Sequence, residues 1–307
     1  MWFKNARLYC FTKPFEVSPE DIEQKLLAGQ FSPCSSYEKS SSGWVSPMGK
    51  DGEMLTHVVG DFIMVCLQKQ ERILPASVIR DATEEKVAEL EERQARKIHR
   101  KEKRQIQDDV FVTLLPKAFT RNQQTYAYIA PRDDLIVIDA ASAPKAEELL
   151  KTLRDSLGSL PVALPDTARA PSDVMTRWLK EQKASDSFEI EADCEFYNPL
   201  DGGNIVRCKG QDLYSEEIQS HLDAGKQVKN LGVSWKSLLS CNIGSDLSIK
   251  RLKFELVKEE QDSFEEESPA QKFDQEFALM TLELSSFFKS FFNAFGGLED
   301  LKELDQE

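Results

Sequence analysis

A run of cationic side chains between residues 93 and 104 is the feature of this sequence with the clearest chemical potential. The run reads RQARKIHRKEKR and holds seven Lys or Arg against one acid, Glu102. Guanidinium and ammonium groups donate charge-assisted hydrogen bonds to phosphate oxygens, so the run could neutralise a polyanion. Lys117 and Arg121 follow it. The candidate phosphate ligands in the run are Arg93, Arg96, Lys97, Arg100, Lys101, Lys103 and Arg104.

The basic run is set in an acidic chain, whose formal net charge is −14. From residue 255 onward there are 15 acids and 4 bases, so residues 1–254 carry only −3. Residues 81–92 hold six acids and one Lys. Pairing with these acids on a solvated helix is the ordinary explanation of such a run. Nucleic acid binding is favoured because the bases occupy several helix faces and cannot all be neutralised by intrahelical pairs.

Catalytic signatures are missing from the sequence, which has no G-x-S-x-G, P-loop, G-x-G-x-x-G or H-E-x-x-H motif. Asp133 and Asp134 could hold a metal ion for nuclease chemistry, but the solvated tip of a hairpin explains them better. The six cysteines are scattered without C-x-x-C spacing, which fits reduced thiols better than a zinc site. We therefore expect no catalytic residue, metal or cofactor.

The basic run is predicted to lie on one long helix from Asp81, as N-cap, to about Gln107. Such a helix would be about 40 Å long, and its few apolar residues indicate that it projects into solvent. Residues 110–115 (VFVTLL) favour a strand, and residues 116–121 favour a loop. That loop carries Phe119, which is equally compatible with a core anchor and with an exposed contact.

A second, weaker basic patch lies in the segment SIKRLKF, with Lys250, Arg251 and Lys253. The segment is predicted to be a strand. Because side chains alternate along a strand, Arg251 is expected on the opposite face from Lys250.

The fold class predicted is α+β, with mostly antiparallel sheets, the long projecting helix and a long C-terminal helix over Pro269–Ala294. The phenylalanine-rich stripe of the C-terminal helix is more typical of a core than of an interface. Asp201-Gly202-Gly203 predicts a hairpin turn. The domain division predicted is 1–75 with 122–170 as a central domain, 76–121 as a projecting tip, and 171–307 as a second α+β domain.

The chain has no apolar run of the roughly 20 residues that span a bilayer. Its N-terminal residues also lack the pattern of a cleavable export signal. We therefore expect a cytoplasmic protein without a membrane partner.

Several stretches, taken in order and spacing, resemble the proteobacterial RdgC family of recombination-associated proteins over essentially the whole chain. They are LPASVIRDATEEKVAELEE, LLPKAF, RCKGQDL, SIKRLKF and FDQEFALMTLEL. The resemblance implies a nucleoid-associated, non-enzymatic protein that binds double-stranded DNA with little sequence preference. It also implies horseshoe-shaped subunits in a ring-shaped homodimer around DNA, and antagonism of RecA.

The resemblance also assigns roles to individual residues. It implies that Phe119 hooks into the partner subunit, and that Lys209 and Gln211 contribute to a gate or to DNA contact. Two rival hypotheses remain open. The basic run could dock an acidic protein, which would make the chain an interaction adaptor, or scattered acids could form a nuclease site.

Overall fold

The computed structural model describes residues 2–200, 204–255 and 268–299, and it confirms an α+β fold with mostly antiparallel strand pairing. The described helices are α1 Pro19–Leu27, α2 Ala76–Gln94, α3 Arg100–Leu114, α4 Ala143–Leu157, α5 Pro171–Lys180, α6 Glu216–Asp223 and α7 Pro269–Ala294. The described strands are β1 Asn5–Phe11, β2 Ser40–Val45, β3 Thr56–Val59, β4 Phe62–Ile73, β5 Phe119–Ala130, β6 Leu135–Ile138, β7 Val162–Ala163, β8 Phe188–Tyr197, β9 Ile205–Cys208, β10 Gln227–Trp235, β11 Leu239–Gly244 and β12 Ile249–Phe254.

Strand β1 joins two half-sheets into one sheet with the order β2-β4-β5-β6-β1-β12-β11-β10-β8-β9. Two further strands lie off this order: β3 pairs with β4, and β7 pairs with β1. Its residues Arg7 to Cys10 pair with β6, and Asn5 and Ala6 pair with β12. The chain up to β7 therefore builds the N-terminal half-sheet, and β8–β12 build the C-terminal half-sheet.

Helices α1 and α4 cover one face of the sheet, and helices α5–α7 cover the other face. Leu8 and Tyr9 are neighbours on β1, so their side chains point to opposite faces. Tyr9 packs in a core with α1 and α4, whereas Leu8 packs in a core with α5, α6 and α7. In the C-terminal half-sheet, alternate residues such as Asn242 and Lys250 point away from the α5–α7 core. These polar side chains line a cavity on that face.

The single helix predicted over residues 81–107 is wrong in its bounds and its continuity. Helix α2 begins at Ala76 with Pro75 in the cap position, so Asp81 lies inside the helix and does not cap it. The helix ends where Ala95 adopts a left-handed conformation, with φ of 50°. A second helix, α3, begins at Arg100. The predicted projecting helix is therefore two helices that contact each other.

The strand predicted for residues 110–115 is also wrong, because most of this segment is the end of α3. The hydroxyl of Thr113 donates to the carbonyl of Asp109 at 2.7 Å, one helical turn earlier. This local bond satisfies the polar group of a residue type that otherwise favours strands. Tertiary context has overridden β propensity here.

The C-terminal helix occupies the predicted residues, Pro269–Ala294. Ser268 and Gln271 form a capping box at its N-terminus. Its phenylalanine stripe is core as expected, with Phe277, Phe287 and Phe291 buried. Within the described ranges, none of the helices has the length and apolar character to cross a bilayer. The hairpin turn predicted at 201–203 and the acidic stretches 256–267 and 300–307 lie outside the described residues.

Candidate nucleic-acid interface

Helices α2 and α3 form a helical hairpin that extends from the end of β4 and the start of β5 in the N-terminal half-sheet. The chain leaves the sheet after Ile73 and returns at Phe119, and these two residues pair directly in the β4–β5 ladder. The two helices contact each other, with Thr83 and Ile106 buried. Because α2 has 19 residues, it is about 28 Å long. The connection between the helices therefore lies at the far end of the excursion, which we call the basic hairpin (residues 76–114).

The basic run is concentrated at the tip of this hairpin, and all seven of its cations are exposed. Arg96 donates two hydrogen bonds to the Glu102 carboxylate at 2.9 and 2.6 Å, and these bonds lower the pKa of Glu102. The other six cations make no ion pair with any residue that the structure describes, although the pKa of Glu89 is lowered by a hydrogen bond from Lys86 and, more weakly, by the charge of Arg93. Most of the tip charge is therefore available to an external anion.

The turn at the hairpin tip has a defined conformation. The backbone N–H of Ile98 donates to the Glu91 carboxylate at 2.7 Å, which ties the connection back to α2. The Ala95 N–H donates to the carbonyl of Glu92 at 3.4 Å. These contacts fix the direction in which the tip cations are presented.

Phe119 is an exposed aromatic side chain at the start of β5, directly after a braced turn, so the loop predicted for residues 116–121 is wrong from Phe119 onward. It is 86% exposed, so it is not a core anchor. The preceding turn is anchored by Leu115, which is buried. Arg72 on β4 donates to the carbonyl oxygens of Leu115 and Ala118 at 3.4 and 3.3 Å, and to that of Ser35 at 3.0 Å.

The cations on either side of Phe119 differ in their pairing. Lys117 is exposed and makes no ion pair with a described residue. Arg121 lies across the ladder from Glu71, and its guanidinium is 3.4 Å from the Glu71 carboxylate. Lys117 therefore adds to the free positive charge near the hairpin, whereas the charge of Arg121 is partly compensated.

Lys209 and Gln211 lie far from the basic hairpin within one chain. They follow β9, and six strands separate β9 from β5 in the sheet order. At about 4.8 Å per strand, the two sites are on the order of 30 Å apart along the sheet. Lys209 is exposed, and the amide of Gln211 donates to the Glu217 carboxylate at 2.9 Å. The structure therefore does not bring all the sequence-predicted residues into one site on one chain.

Asp133 and Asp134 have a different environment from the solvated hairpin tip predicted for them. The Asp133 carboxylate accepts a hydrogen bond from the Ser285 hydroxyl at 2.7 Å, and Lys289 lies 3.7 Å away. Asp133 therefore ties the β5–β6 turn to α7. Across the residues that the structure describes, no three His, Cys, Asp or Glu side chains converge as a metal site.

Arg72 is the residue of this region that sequence reasoning missed. It lies one residue before the end of a strand that also carries Lys69, and no motif marks it. Its role depends on the β4–β5 register, which places it directly opposite Thr120. Only a correct pairing of the two strands would have pointed to it.

Comparison with known proteins gives one result across nearly the full length of the chain. The family model described as "RdgC: Putative exonuclease, RdgC" matches residues 1–298. A recombination-associated protein RdgC of Aeromonas hydrophila subsp. hydrophila is 44% identical over 300 residues, covering 97% of this chain and 99% of the relative. The protein of that name from Tolumonas auensis is 43% identical over 298 residues, covering 97% and 99%. That of Pseudomonas aeruginosa is 43% identical over 301 residues, covering 97% and 98%. The chain therefore belongs to the RdgC family of recombination-associated proteins.

Proposed function

We propose that this protein binds double-stranded DNA through the basic hairpin, with little sequence preference, and modulates homologous recombination without catalysis. The observation that carries the proposal is the set of six exposed tip cations without an ion pair among the described residues. Cations in this state can neutralise backbone phosphates and release the counterions condensed on DNA. Phosphate contacts position a protein on a duplex without reading its sequence.

The distribution of charge supports a localised contact. Residues 1–254 carry a net charge of only −3, so the cluster of cations at the hairpin tip is a strong local attraction for DNA on a nearly neutral part of the chain. Lys117 extends the positive region toward the sheet, and Lys209 and Gln211 would supply further contacts at the opposite end. In this proposal the protein acts in the cytoplasm, associated with the nucleoid.

The proposed assembly is a homodimer in which Phe119 contacts the partner subunit. An aromatic side chain that is 86% exposed, directly after a turn braced by Arg72, suits insertion into a pocket of a second copy. A ring made from two horseshoe-shaped subunits would enclose DNA and place the cations inside it. The division into a central domain, a tip at 76–121 and a second domain from 171 is part of the same proposal.

DNA binding is tested by fluorescence anisotropy with a labelled duplex of about 30 base pairs across a salt series. We expect log K to fall with log salt at a slope of about −4 to −7. The double variant Lys97→Gln/Lys101→Gln should reduce the slope by about two. The matched control is Arg80→Gln/Lys86→Gln, which removes two cations of the same hairpin that are already paired with Asp81 and Glu89.

The control variant should bind as the native protein does. If both double variants lose the same amount of DNA affinity, only the net charge matters, and the hairpin tip is not a specific DNA contact. No binding by the native protein at low salt would make docking of an acidic protein the better account of the basic run.

Antagonism of RecA has its own assay. We expect prior addition of the protein to duplex DNA to reduce RecA-promoted strand exchange, and Lys97→Gln/Lys101→Gln to restore it. Inhibition that survives loss of DNA binding would point to direct contact with RecA.

Exonuclease activity is the second candidate function, because the matching family model carries that word in its description. It is tested by incubating end-labelled duplex and single-stranded DNA with the protein and Mg²⁺ or Mn²⁺. Under our proposal the labelled DNA stays at full length. Progressive shortening that copurifies with the protein would favour the exonuclease.

A further inference from the structure

A polar cavity of about 370 Å³ lies on the C-terminal half-sheet, on the face opposite the α5–α7 core. Its size is within the range of about 300–1,000 Å³ that is usual for ligand sites. Residues of β8–β12 and the segment after β9 line it. We call it the sheet cavity.

A β-bulge places two cations in the sheet cavity that a regular strand would have separated. Ser240 and Asn242 of β11 pair with Lys253 and Lys250 of β12, so β12 has one extra residue between these pairs. Arg251 sits at this point with φ of 55°, in the left-handed region. Both Lys250 and Arg251 line the cavity, which corrects the expectation that they lie on opposite faces.

The backbone at the bulge is strained, because the residue in the left-handed conformation is an arginine and not a glycine. A residue other than glycine in the left-handed region costs about 1 kcal/mol or more. Bulges re-aim side chains and are common near functional sites. Core packing does not require an arginine here, because Arg251 is exposed and Leu252 supplies the buried side chain.

The cavity has an excess of positive charge. Its lining holds four cations, Arg207, Lys209, Lys250 and Arg251, against two acids. Asp193 accepts a hydrogen bond from Arg251 at 3.1 Å, and Glu195 accepts one from Arg207 at 2.8 Å.

Two of the cavity cations are free of such pairing. Lys209 and Lys250 make no ion pair with any residue in the described ranges. Asn230 and Asn242 add amide groups that can donate to an oxygen ligand without adding charge. Unpaired ammonium groups beside a guanidinium and amide donors are complementary to a phosphate group.

We propose that the sheet cavity binds a phosphodiester group of bound DNA, with Lys209, Lys250 and Arg251 as its ligands. The inference rests on the proposed DNA binding, in which Lys209 already supplies a contact, and it adds Lys250 and Arg251 as further ligands in one site on the C-terminal half-sheet. Asp193 is a positioning residue, because its other oxygen accepts the N–H of Gly210 at 3.2 Å, next to Lys209. One carboxylate thereby links the β12 bulge to the segment that carries Lys209.

The test compares the salt dependence of DNA binding in variants of the cavity. Lys250→Gln should reduce the slope of log K against log salt by about one and weaken binding about threefold to tenfold. Lys180→Gln is the matched control, because Lys180 is exposed on α5, which packs on the other face of the sheet. That control removes the same charge and should leave the slope unchanged.

Arg251→Gly separates binding from folding. Glycine adopts the left-handed conformation without a Cβ penalty, so the melting temperature should be unchanged or raised while DNA affinity falls. Asp193→Asn should act in the opposite direction and steepen the slope, because it removes a negative charge from the cavity. If Arg251 has only a structural role, Arg251→Gly should lower the melting temperature. The slope of log K against log salt should then be unchanged in both Arg251→Gly and Asp193→Asn.

The hairpin and cavity variants separate this inference from the proposed function. If Lys97→Gln/Lys101→Gln loses affinity but Lys250→Gln and Arg251→Gly bind like Lys180→Gln, the hairpin is a DNA site and the sheet cavity is not. If the native protein binds no DNA, both proposals fall. A cavity that held a free phosphorylated metabolite would also leave DNA binding unaffected by these variants.

Discussion

The Arg72 guanidinium donates a hydrogen bond to the carbonyl oxygen of Ala118 at 3.3 Å, directly before the exposed Phe119. It also reaches the carbonyls of Leu115 and Ser35. A guanidinium has five N–H donors in a planar fork, so one side chain can hold several carbonyls. The orientation of Phe119 therefore depends on a side chain from the neighbouring strand.

Replacement of Arg72 should loosen the turn before Phe119. Arg72→Ala removes the charge-assisted hydrogen bonds from the guanidinium to these carbonyl oxygens, and we expect the free energy of unfolding to fall by about 1–3 kcal/mol. Exchange of the Ala118 amide, which donates to Leu115, should become faster. Arg121→Ala is the control, since its exposed ion pair with Glu71 is worth less than about 1 kcal/mol. Equal effects of the two variants in urea unfolding and amide exchange would contradict the bracing role.

Phe119→Ala should weaken self-association without destabilising the subunit. The side chain is 86% exposed, so its removal should change the free energy of unfolding by less than about 0.5 kcal/mol. If the Phe119 phenyl ring fills a pocket on a partner subunit, the dimer dissociation constant of Phe119→Ala should be at least about tenfold higher than that of the native protein. Leu200→Ala is a suitable control, because Leu200 is 94% exposed at the other end of the sheet. Sedimentation equilibrium would count against the hook if the two variants associate equally well.

Several elements were predictable because their signals are local in sequence. The C-terminal helix begins at a capping box, Ser268 to Gln271, and its apolar repeat marks the buried face. The first helix begins at Pro19 with Ser18 as its N-cap, and the Ser18 hydroxyl accepts the Asp21 N–H at 3.1 Å; Ser followed by Pro is a local signal of a helix start. The basic run likewise identified the hairpin cations from composition alone.

Other features were not predictable because they depend on pairing between distant segments. The helix break at Ala95 has no Gly or Pro to mark it, and it exists because the chain must return from Ile73 to Phe119. The bulge at Arg251 depends on how β12 aligns with β11. In both places a residue other than glycine adopts a left-handed backbone that its own type disfavours.

The break at Ala95 is testable by glycine substitution. Ala95→Gly should slow amide exchange in the hairpin and stabilise it by up to about 1 kcal/mol, because glycine adopts φ near 50° without a Cβ penalty. Ala88→Gly, at an exposed position inside α2, should destabilise the hairpin by about 1 kcal/mol. A continuous helix predicts destabilisation by both substitutions, so the opposite signs distinguish the two structures.

His57 links β3 to the C-terminal helix and should make stability depend on pH. Its Nε2 lies 2.9 Å from the Asp274 carboxylate, and its ring packs edge-on against Phe273, with the ring centroids 4.8 Å apart. Burial lowers the pKa of His57 below its ordinary 6.5, and this outweighs the upward effect of Asp274. Between the two pKa values the unfolded chain binds more protons than the folded chain. Stability should therefore fall as the pH drops below about 6.5.

The measurement is the urea midpoint at several pH values between about 7.5 and 5.5, a window above the titration of ordinary carboxylates. His57→Gln should flatten the profile, because the group that takes up a proton only on unfolding has been removed. His99→Gln, at an exposed position beside the hairpin tip, should keep the native profile. If stability rises as the pH falls, the Asp274 pair outweighs burial. Parallel profiles for all three proteins would show that another group is responsible.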